Sequence, residues 1–354
     1  MMTVKNRLLH SATQLDQLKT LLEESKKILI ITHGNPDPDA IAAAFALKYL
    51  ISHLVKKKAR VAYPGIIGRK ENRAMVKELS LKMIPVAEVI WRDYDTLALV
   101  DHQPRRRFYT WPKNRWPNIV IDHHPRRPLE KPTEFVDVRT EFGANSSMLT
   151  SYLMTAGLRV PRWLSTALAY GIRTDTHEFS HVKTDVDKQA YMALFENVDH
   201  SKLFRIAHPL TDCQYLSHFW QALGAARIWQ DAVESYAGDV LVPDNTAEIA
   251  DNLVQLQGIK YALVSGFYQN TLYMSLRFRN ARRDAGAVIR RIVGRKGSAG
   301  GHGFMAGAQI RDIETSEKAK STASNLHEKF IRLLHPNQNM NQAKKVLSRN
   351  ADCL

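Results

Sequence analysis

Asn118-Ile119-Val120-Ile121-Asp122-His123-His124-Pro125 joins an apolar run to one carboxylate and two imidazoles. The unbroken Ile-Val-Ile run has the pattern of a strand buried on both faces, as in a parallel sheet. Three groups able to hold a metal or move a proton then fall at one sheet edge. The same arrangement occurs twice more. Ile28-Leu29-Ile30-Ile31 runs into His33, Asp37 and Asp39, and Leu97-Ala98-Leu99-Val100 runs into Asp101. Between these runs lie stretches of helical spacing, so strands alternate with helices. That alternation predicts an open α/β sheet, whose ligands bind beyond the carboxyl ends of the strands.

The chain of 354 residues is long enough for two domains, each with its own core. Its two cysteines, Cys213 and Cys353, are far apart and build no disulfide framework, which favours a reducing, cytoplasmic setting. The opening residues show no apolar run of signal-peptide length, and the longest apolar stretch, Ala40 to Leu47, is too short to cross a bilayer. The net charge of +15 is concentrated in two runs. Seven basic residues (Arg105, Arg106, Arg107, Lys113, Arg115, Arg126, Arg127) surround Asp122 between 104 and 127. Eight more (Arg277, Arg279, Arg282, Arg283, Arg290, Arg291, Arg295, Lys296) stand with Asp284 between 277 and 296. A charge run by itself is a solvated face as readily as a binding surface. Here one run flanks the Asp-His-His triplet and the other precedes Gly297-Ser298-Ala299-Gly300-Gly301-His302-Gly303, a pairing that suits phosphate.

The spacing predicts helices over 12–25, 40–54, 72–79, 146–156 and 162–172, and strands over 28–32, 61–63, 97–100 and 119–121. Leu203 to Gln230 reads as a helical connector. Beyond it come strands near 240–242, 262–268 and 272–278, the last two joined by a turn at Gln269-Asn270, then a helix over 285–293 and a glycine-rich loop. The Asn- and Gln-rich stretch from Pro336 reads as a mobile tail. The expected division is therefore a catalytic domain at 1–195, a connector at 196–235, a substrate-binding domain at 236–335 and a tail at 336–354.

Taken singly, each candidate ligand has an ordinary structural role. An aspartate after a strand commonly caps a helix or forms a turn, and His33 alone would be a surface loop histidine. Their joint occurrence at successive strand ends is harder to explain that way. Carboxylates and imidazoles suit hard to borderline divalent cations. With Asp175, in Gly171-Ile172-Arg173-Thr174-Asp175-Thr176, they suffice for two metals and a displacement at phosphorus.

In this order the segments His33-Gly34-Asn35-Pro36-Asp37-Pro38-Asp39-Ala40, Val100-Asp101, Asp122-His123-His124, Thr174-Asp175-Thr176 and Gly300-Gly301-His302-Gly303 resemble the DHH phosphoesterases. Within that family they are most similar to the nano-RNases and pAp phosphatases related to the RecJ exonuclease. The resemblance covers nearly the whole chain to about residue 330 and implies an N-terminal parallel-sheet domain with helices on both faces, joined by a helical connector to a smaller α/β domain. It implies two divalent cations, Mn²⁺ with Mg²⁺ or Co²⁺ as the alternatives, with His33 and Asp37 holding one, Asp39, His123 and Asp175 the other, and Asp101 bridging them. It implies that Asp122 orients an imidazole, that His124 faces the scissile phosphate, and that the second domain closes over the cleft. Arg277, His302 and the backbone of Gly300, Gly301 and Gly303 would contact the substrate. Short RNAs or nucleotides would be the substrates and a homodimer the assembly, with no membrane partner. Mononucleotides would be the products of hydroxide attack at the two metals. The same site would serve pAp dephosphorylation or hydrolysis of a cyclic dinucleotide or pApA. A non-catalytic nucleic-acid-binding module is the reading of another class.

The chain departs from the family pattern in places. Ile41-Ala42-Ala43 stands where a glycine is usual, so the close helix approach a glycine permits is not encoded there. His102 follows Asp101, Asn145 stands where threonine is common, and two glycines rather than three precede His302.

Overall fold

The computed structural model describes residues 4–104, 111–180, 184–279, 283–340 and 342–347, and at 4–11 and 302 the backbone alone. Arg105, Arg106, Arg107 and Arg282 of the basic runs lie outside the described residues. The chain divides into two units, Met1–Pro209 and Leu210–Leu354. No helix among the described residues is long and apolar enough to cross a membrane.

In the first unit the elements run α1 (Val4–Glu24), β1 (Lys27–Ile31), α2 (Pro38–Leu54), β2 (Lys58–Tyr63), α3 (Lys70–Glu78), β3 (Met83–Pro85), β4 (Thr96–Val100), β5 (Ile119–Asp122), β6 (Phe135–Val138), α4 (Asn145–Thr155), α5 (Arg162–Asp175), α6 (Val186–Phe195) and α7 (His200–Ala207). The six strands form one sheet in the order β3-β2-β1-β4-β5-β6, every pairing parallel. Successive strands step outward from β1 on one side and from β4 on the other, so the order reverses between these two. In such sheets that reversal opens a crevice beyond the carboxyl ends, because the connections leave in opposite directions.

The apolar runs are buried on both faces. Ile28, Ile30, Ala98, Val100, Ile119 and Ile121 meet α1, α2, α4 and α5. Leu29, Ile31, Leu97, Leu99 and Val120 are covered by Val86, Val89, Trp91, Tyr94 and Trp111. Among the described residues the second helical layer is thus thin, with two single-turn 3-10 helices at Val86–Glu88 and Trp91–Asp93.

The second unit runs α8 (Cys213–Ala225), β7 (Arg227–Trp229), β8 (Ala232–Asp239), α9 (Asn245–Leu253), β9 (Tyr261–Tyr268), β10 (Thr271–Phe278), α10 (Ala285–Val293), β11 (Ser298–His302), β12 (Met305–Ile310), α11 (Ser316–Leu334) and β13 (Lys344–Lys345). Among the described residues its seven strands lie in the order β11-β12-β10-β9-β8-β7-β13, and of these only β8 and β9 pair in parallel. The expected hairpin is present as β9–β10. Gln269 (φ 43°) and Asn270 (φ 57°) both take positive φ at its turn, the requirement of a tight hairpin of the right twist. Glu234 pairs with His327, whose Nε2 stands 2.8 Å from Ser265 Oγ. All three are buried, so this trio ties α11 to the sheet without meeting solvent.

Four expectations change. The connector at 196–235 is not one element: α7 lies against α3 and α5 of the first unit, whereas Ala222 of α8 joins the core of the second. The strand expected near 240–242 lies earlier, at β8, where Val233 and Ala237 supply that same core. The glycine-rich loop is the edge strand β11, paired residue for residue with β12. The tail from Pro336 is tied back through Lys344–Lys345, which pairs with β7, and through Val346, which is buried.

Candidate metal centre

Every ligand predicted in the first unit is brought to the β1/β4 crevice. Asp101 follows β4 directly and takes φ +65°, a left-handed conformation that aspartate and asparagine tolerate better than most residues. This turn aims the carboxylate across the strand ends. Its Oδ2 lies 3.3 Å from His33 Nε2 and its Oδ1 3.4 Å from His123 Nε2. One carboxylate therefore offers one oxygen to each side.

Around it the ligands fall into groups whose donor atoms all lie within 4.8 Å of one another: His33, Asp37 and Asp101 on one side, Asp39, His123 and Asp175 on the other, with Asp101, His123 and His124 as a third. Asp37 also accepts from Ala40 N at 2.9 Å and so caps α2, fulfilling the ordinary role of such an aspartate as well. His33 Nδ1 donates to Gly34 O at 3.0 Å, and His123 Nδ1 donates to Phe142 O at 3.4 Å. Each imidazole is thereby oriented with Nε2 toward the cluster, as metal-binding histidines usually are. The residues fit a cation on a further count. His123 Nε2 and Asp175 Oδ2 are buried, without a hydrogen-bond partner, and only 3.1 Å apart. A divalent ion would satisfy both atoms.

Asp122 and His124 form a neighbouring pair. His124 Nδ1 donates to Asp122 Oδ1 at 2.9 Å, and the His124 side chain is 36% exposed. Burial opposes charge on His124, but Asp122 and Asp101 outweigh it and raise its pKa. Asp122 is in turn held by Gln103, whose Nε2 donates to Asp122 Oδ2 at 2.6 Å and whose Oε1 accepts from Arg127 N at 2.8 Å.

Several residues that sequence reasoning left without a role set this geometry. Asp39 accepts from the backbone of Asn145 and Ser146, both at 2.7 Å, at the first turn of α4. The Asn145 side chain donates to Asp101 Oδ1 at 2.7 Å. Asp187 of α6 accepts twice from Gly143 N, both at 3.0 Å, fixing the approach to α4. Gly171 of α5 provides the close helix approach not encoded at Ile41-Ala42. A Cβ there would overlap Ser146 Oγ and lie 3.1 Å from Asp39 Cα. His102 is partly buried: its Nδ1 donates to Val100 O at 3.1 Å, and burial lowers its pKa to about 4.

The electrostatics give a pH dependence. Burial would lower the His123 pKa from its ordinary 6.5, but Asp101, Asp175 and Asp39 lift it to about 10. His33 is also raised, by Asp101 and Asp37 against burial. Burial and then Asp101 raise Asp39 from 3.8 to about 7. All three groups bind protons more tightly in the metal-free folded state than in the unfolded chain. The stability this confers through His123 is fully present below pH 6.5 and is lost as pH rises toward 10. The Asp39 shift acts in the same direction between 3.8 and about 7. A cation must displace these protons. The melting temperature of the chelator-treated protein should therefore fall from about pH 6.5 to about pH 8, while apparent Mn²⁺ affinity rises. A metal affinity independent of pH would contradict this.

In the second unit, Arg277 of β10 is 8% exposed and donates through Nε to Asp251 and through Nη1 to Leu276 O. The register sets Met305 opposite both Arg277 and His302, so positions 277 and 302 share one row across three strands. The His302 side chain lies outside the described residues. Gly301 takes φ +137°, and a Cβ there would overlap Ala306 Cα and Met305 O. Gly303 N donates to Asp284 Oδ2 at 2.8 Å, tying the turn after β11 to the N-terminus of α10. Gly300 has open space beside it.

A parallel sheet with this reversal, bearing shared carboxylates and imidazoles at its carboxyl edge, defines an α/β metal-site protein. Residues 27–172 match the DHH family, N-terminal domain, and residues 231–330 match the DHHA1 domain. The chain belongs to the DHH family. It is 32% identical to the uncharacterized protein MJ1633 of Methanocaldococcus jannaschii over 88% of this chain and 63% of that protein. It is 25% identical to the cyclic-di-AMP phosphodiesterase GdpP of Geobacillus thermodenitrificans over 88% of this chain and 49% of that protein. The chain thus spans about half to somewhat under two thirds of these relatives' length. An exopolyphosphatase-related protein from Bacteroides fragilis shares the fold, with a TM-score of 0.72 at 16% identity, covering 91% of this chain and 97% of that one.

Proposed function

We propose that the chain is a metal-dependent phosphodiesterase that degrades very short oligoribonucleotides to mononucleotides. The observation that carries this reading is Asp101, whose two oxygens face separate ligand groups. His33 and Asp37 would hold one divalent cation and Asp39, His123 and Asp175 a second, with Asp101 shared. Imidazole among the ligands favours Mn²⁺ over Mg²⁺. Such a pair supplies an activated water and neutralises charge on the phosphoryl oxygens.

The chain's own residues complete the chemistry. His124, whose pKa Asp122 raises against burial and which is partly exposed beside the cluster, would deliver a proton to the leaving oxygen. Arg126 and Arg127 are exposed just after it and raise the local concentration of anionic substrate. Arg277 and the glycine-rich β11 would contact phosphate. The similarity to GdpP over most of the chain favours a second reading, hydrolysis of a cyclic dinucleotide or its linear product.

The test is product analysis with Mn²⁺ on labelled two- to five-mer RNAs, longer RNAs, pAp and cyclic di-AMP. Fast conversion of the shortest RNAs to mononucleotides is expected, with release of phosphate from pAp marking a dual activity. Preferential turnover of the cyclic dinucleotide would move the second reading to the front. No turnover of any of them by metal-loaded protein would overturn both.

A further inference from the structure

The cluster occupies the carboxyl edge of the sheet. At the opposite edge, where β1 and β2 begin, the same unit contains a cavity of about 880 Å³. Six cations line it, Lys27, Lys48, Lys57, Lys58, Arg60 and Lys82, against a single carboxylate, Asp93. Among the described residues none of the six is paired with a carboxylate. Cations gathered in a concavity repel one another unless a counter-ion enters. Lys48 shows the strain of this arrangement. It is half-buried, and burial together with Arg60 and Lys82 pushes its ammonium pKa down.

Aromatic rings also line the cavity. Trp163 meets Phe45 edge-on, with centroids 6.3 Å apart and planes at 89°, and Lys48 Nζ lies 5.5 Å from the Phe45 centroid. Tyr49 is fixed in place by its hydroxyl, which donates to Arg159 O at 2.8 Å. The volume falls in the range of small-molecule sites, roughly 300–1,000 Å³. A lone phosphate would leave most of it empty, and an apolar ligand would leave the cations without a counter-charge. A phosphate carrying a planar base satisfies both walls.

We propose that this cavity binds a nucleoside phosphate, the phosphate against Lys48, Arg60 and Lys82 and the base against Tyr49 and Trp163. The five residues of β1, about 16 Å of strand, separate it from the metal cluster. Binding here is therefore distinct from turnover, whatever the substrate.

The test is calorimetric titration of the full chain in excess chelator with adenosine monophosphate, inorganic phosphate and adenosine. One equivalent of the nucleotide should bind, about tenfold or more tighter than either part. Lys82→Glu and Trp163→Leu should each weaken it by about tenfold, with the melting temperature as the check on folding. Arg60→Glu serves where one of these unfolds. Asp101→Asn should leave the affinity unchanged. The proposal is overturned by absence of nucleotide binding, by equal affinity for inorganic phosphate, or by binding lost with Asp101→Asn but indifferent to the cavity variants.

Discussion

Asp101→Asn is expected to lower metal-dependent phosphoester hydrolysis by about 10³-fold or more, with the fold retained. The functional loss is large because one carboxylate faces both ligand groups, His33 through Oδ2 and His123 through Oδ1. An amide removes the charge and offers only one oxygen, so neither cation keeps a shared ligand. The structural effect is small because asparagine tolerates the φ of +65° found here. Its Oδ1 can still accept from Asn145, which donates at 2.7 Å. Mn²⁺ titration and thermal melting separate the two effects. Retained stoichiometric binding of two ions by the variant would show that Asp101 does not bridge.

The second large effect is expected at a residue that touches no substrate. Gly171→Ala should destabilise the protein by about 1–3 kcal/mol and weaken metal binding by about 10- to 100-fold. The new methyl overlaps Ser146 Oγ, which can rotate, but also lies 3.1 Å from Asp39 Cα and 3.3 Å from Asp39 Oδ1, which cannot easily give way. Asp39 is held by two amides of α4 at 2.7 Å, so displacing α5 from α2 moves ligand and holder together. Adding Ser146→Ala should recover stability more than metal affinity, as the hydroxyl is only the first obstruction. Unchanged affinity in the single variant would mean that α5 yields without moving Asp39.

The ligands of the first unit other than Asp175, which ends α5, were readable because each stands shortly after an apolar strand. His33, Asp101 and His123 are local punctuation, and the pattern of buried strands implies that such ends share an edge. Gln103, Asn145, Gly171 and Asp187 were not readable in this way. Asn145 and Asp101 are 44 residues apart and Asn145 and Asp39 are 106 apart. No local spacing marks such pairs. The residues at 298–302 read as a loop since glycine is depleted from strands. They form a strand instead, and close approach to α10 and β12 leaves no room for a Cβ at Gly301 or Gly286. Similarly, α7 and α8 each present an apolar stripe, and nothing local says which core it covers.

Local chemistry thus set the alternation of strands and helices, the kinds of ligand at the strand ends and the hairpin at Gln269-Asn270. These depend on backbone preference and on the solubility of neighbouring side chains, both short-range. The sharing of Asp101, the assignment of α7 and α8 to different units and the gathering of six cations at the far edge were decided by the fold. Each requires residues distant along the chain to meet, and only the strand order β3-β2-β1-β4-β5-β6 and the helices packed on it determine which of them do.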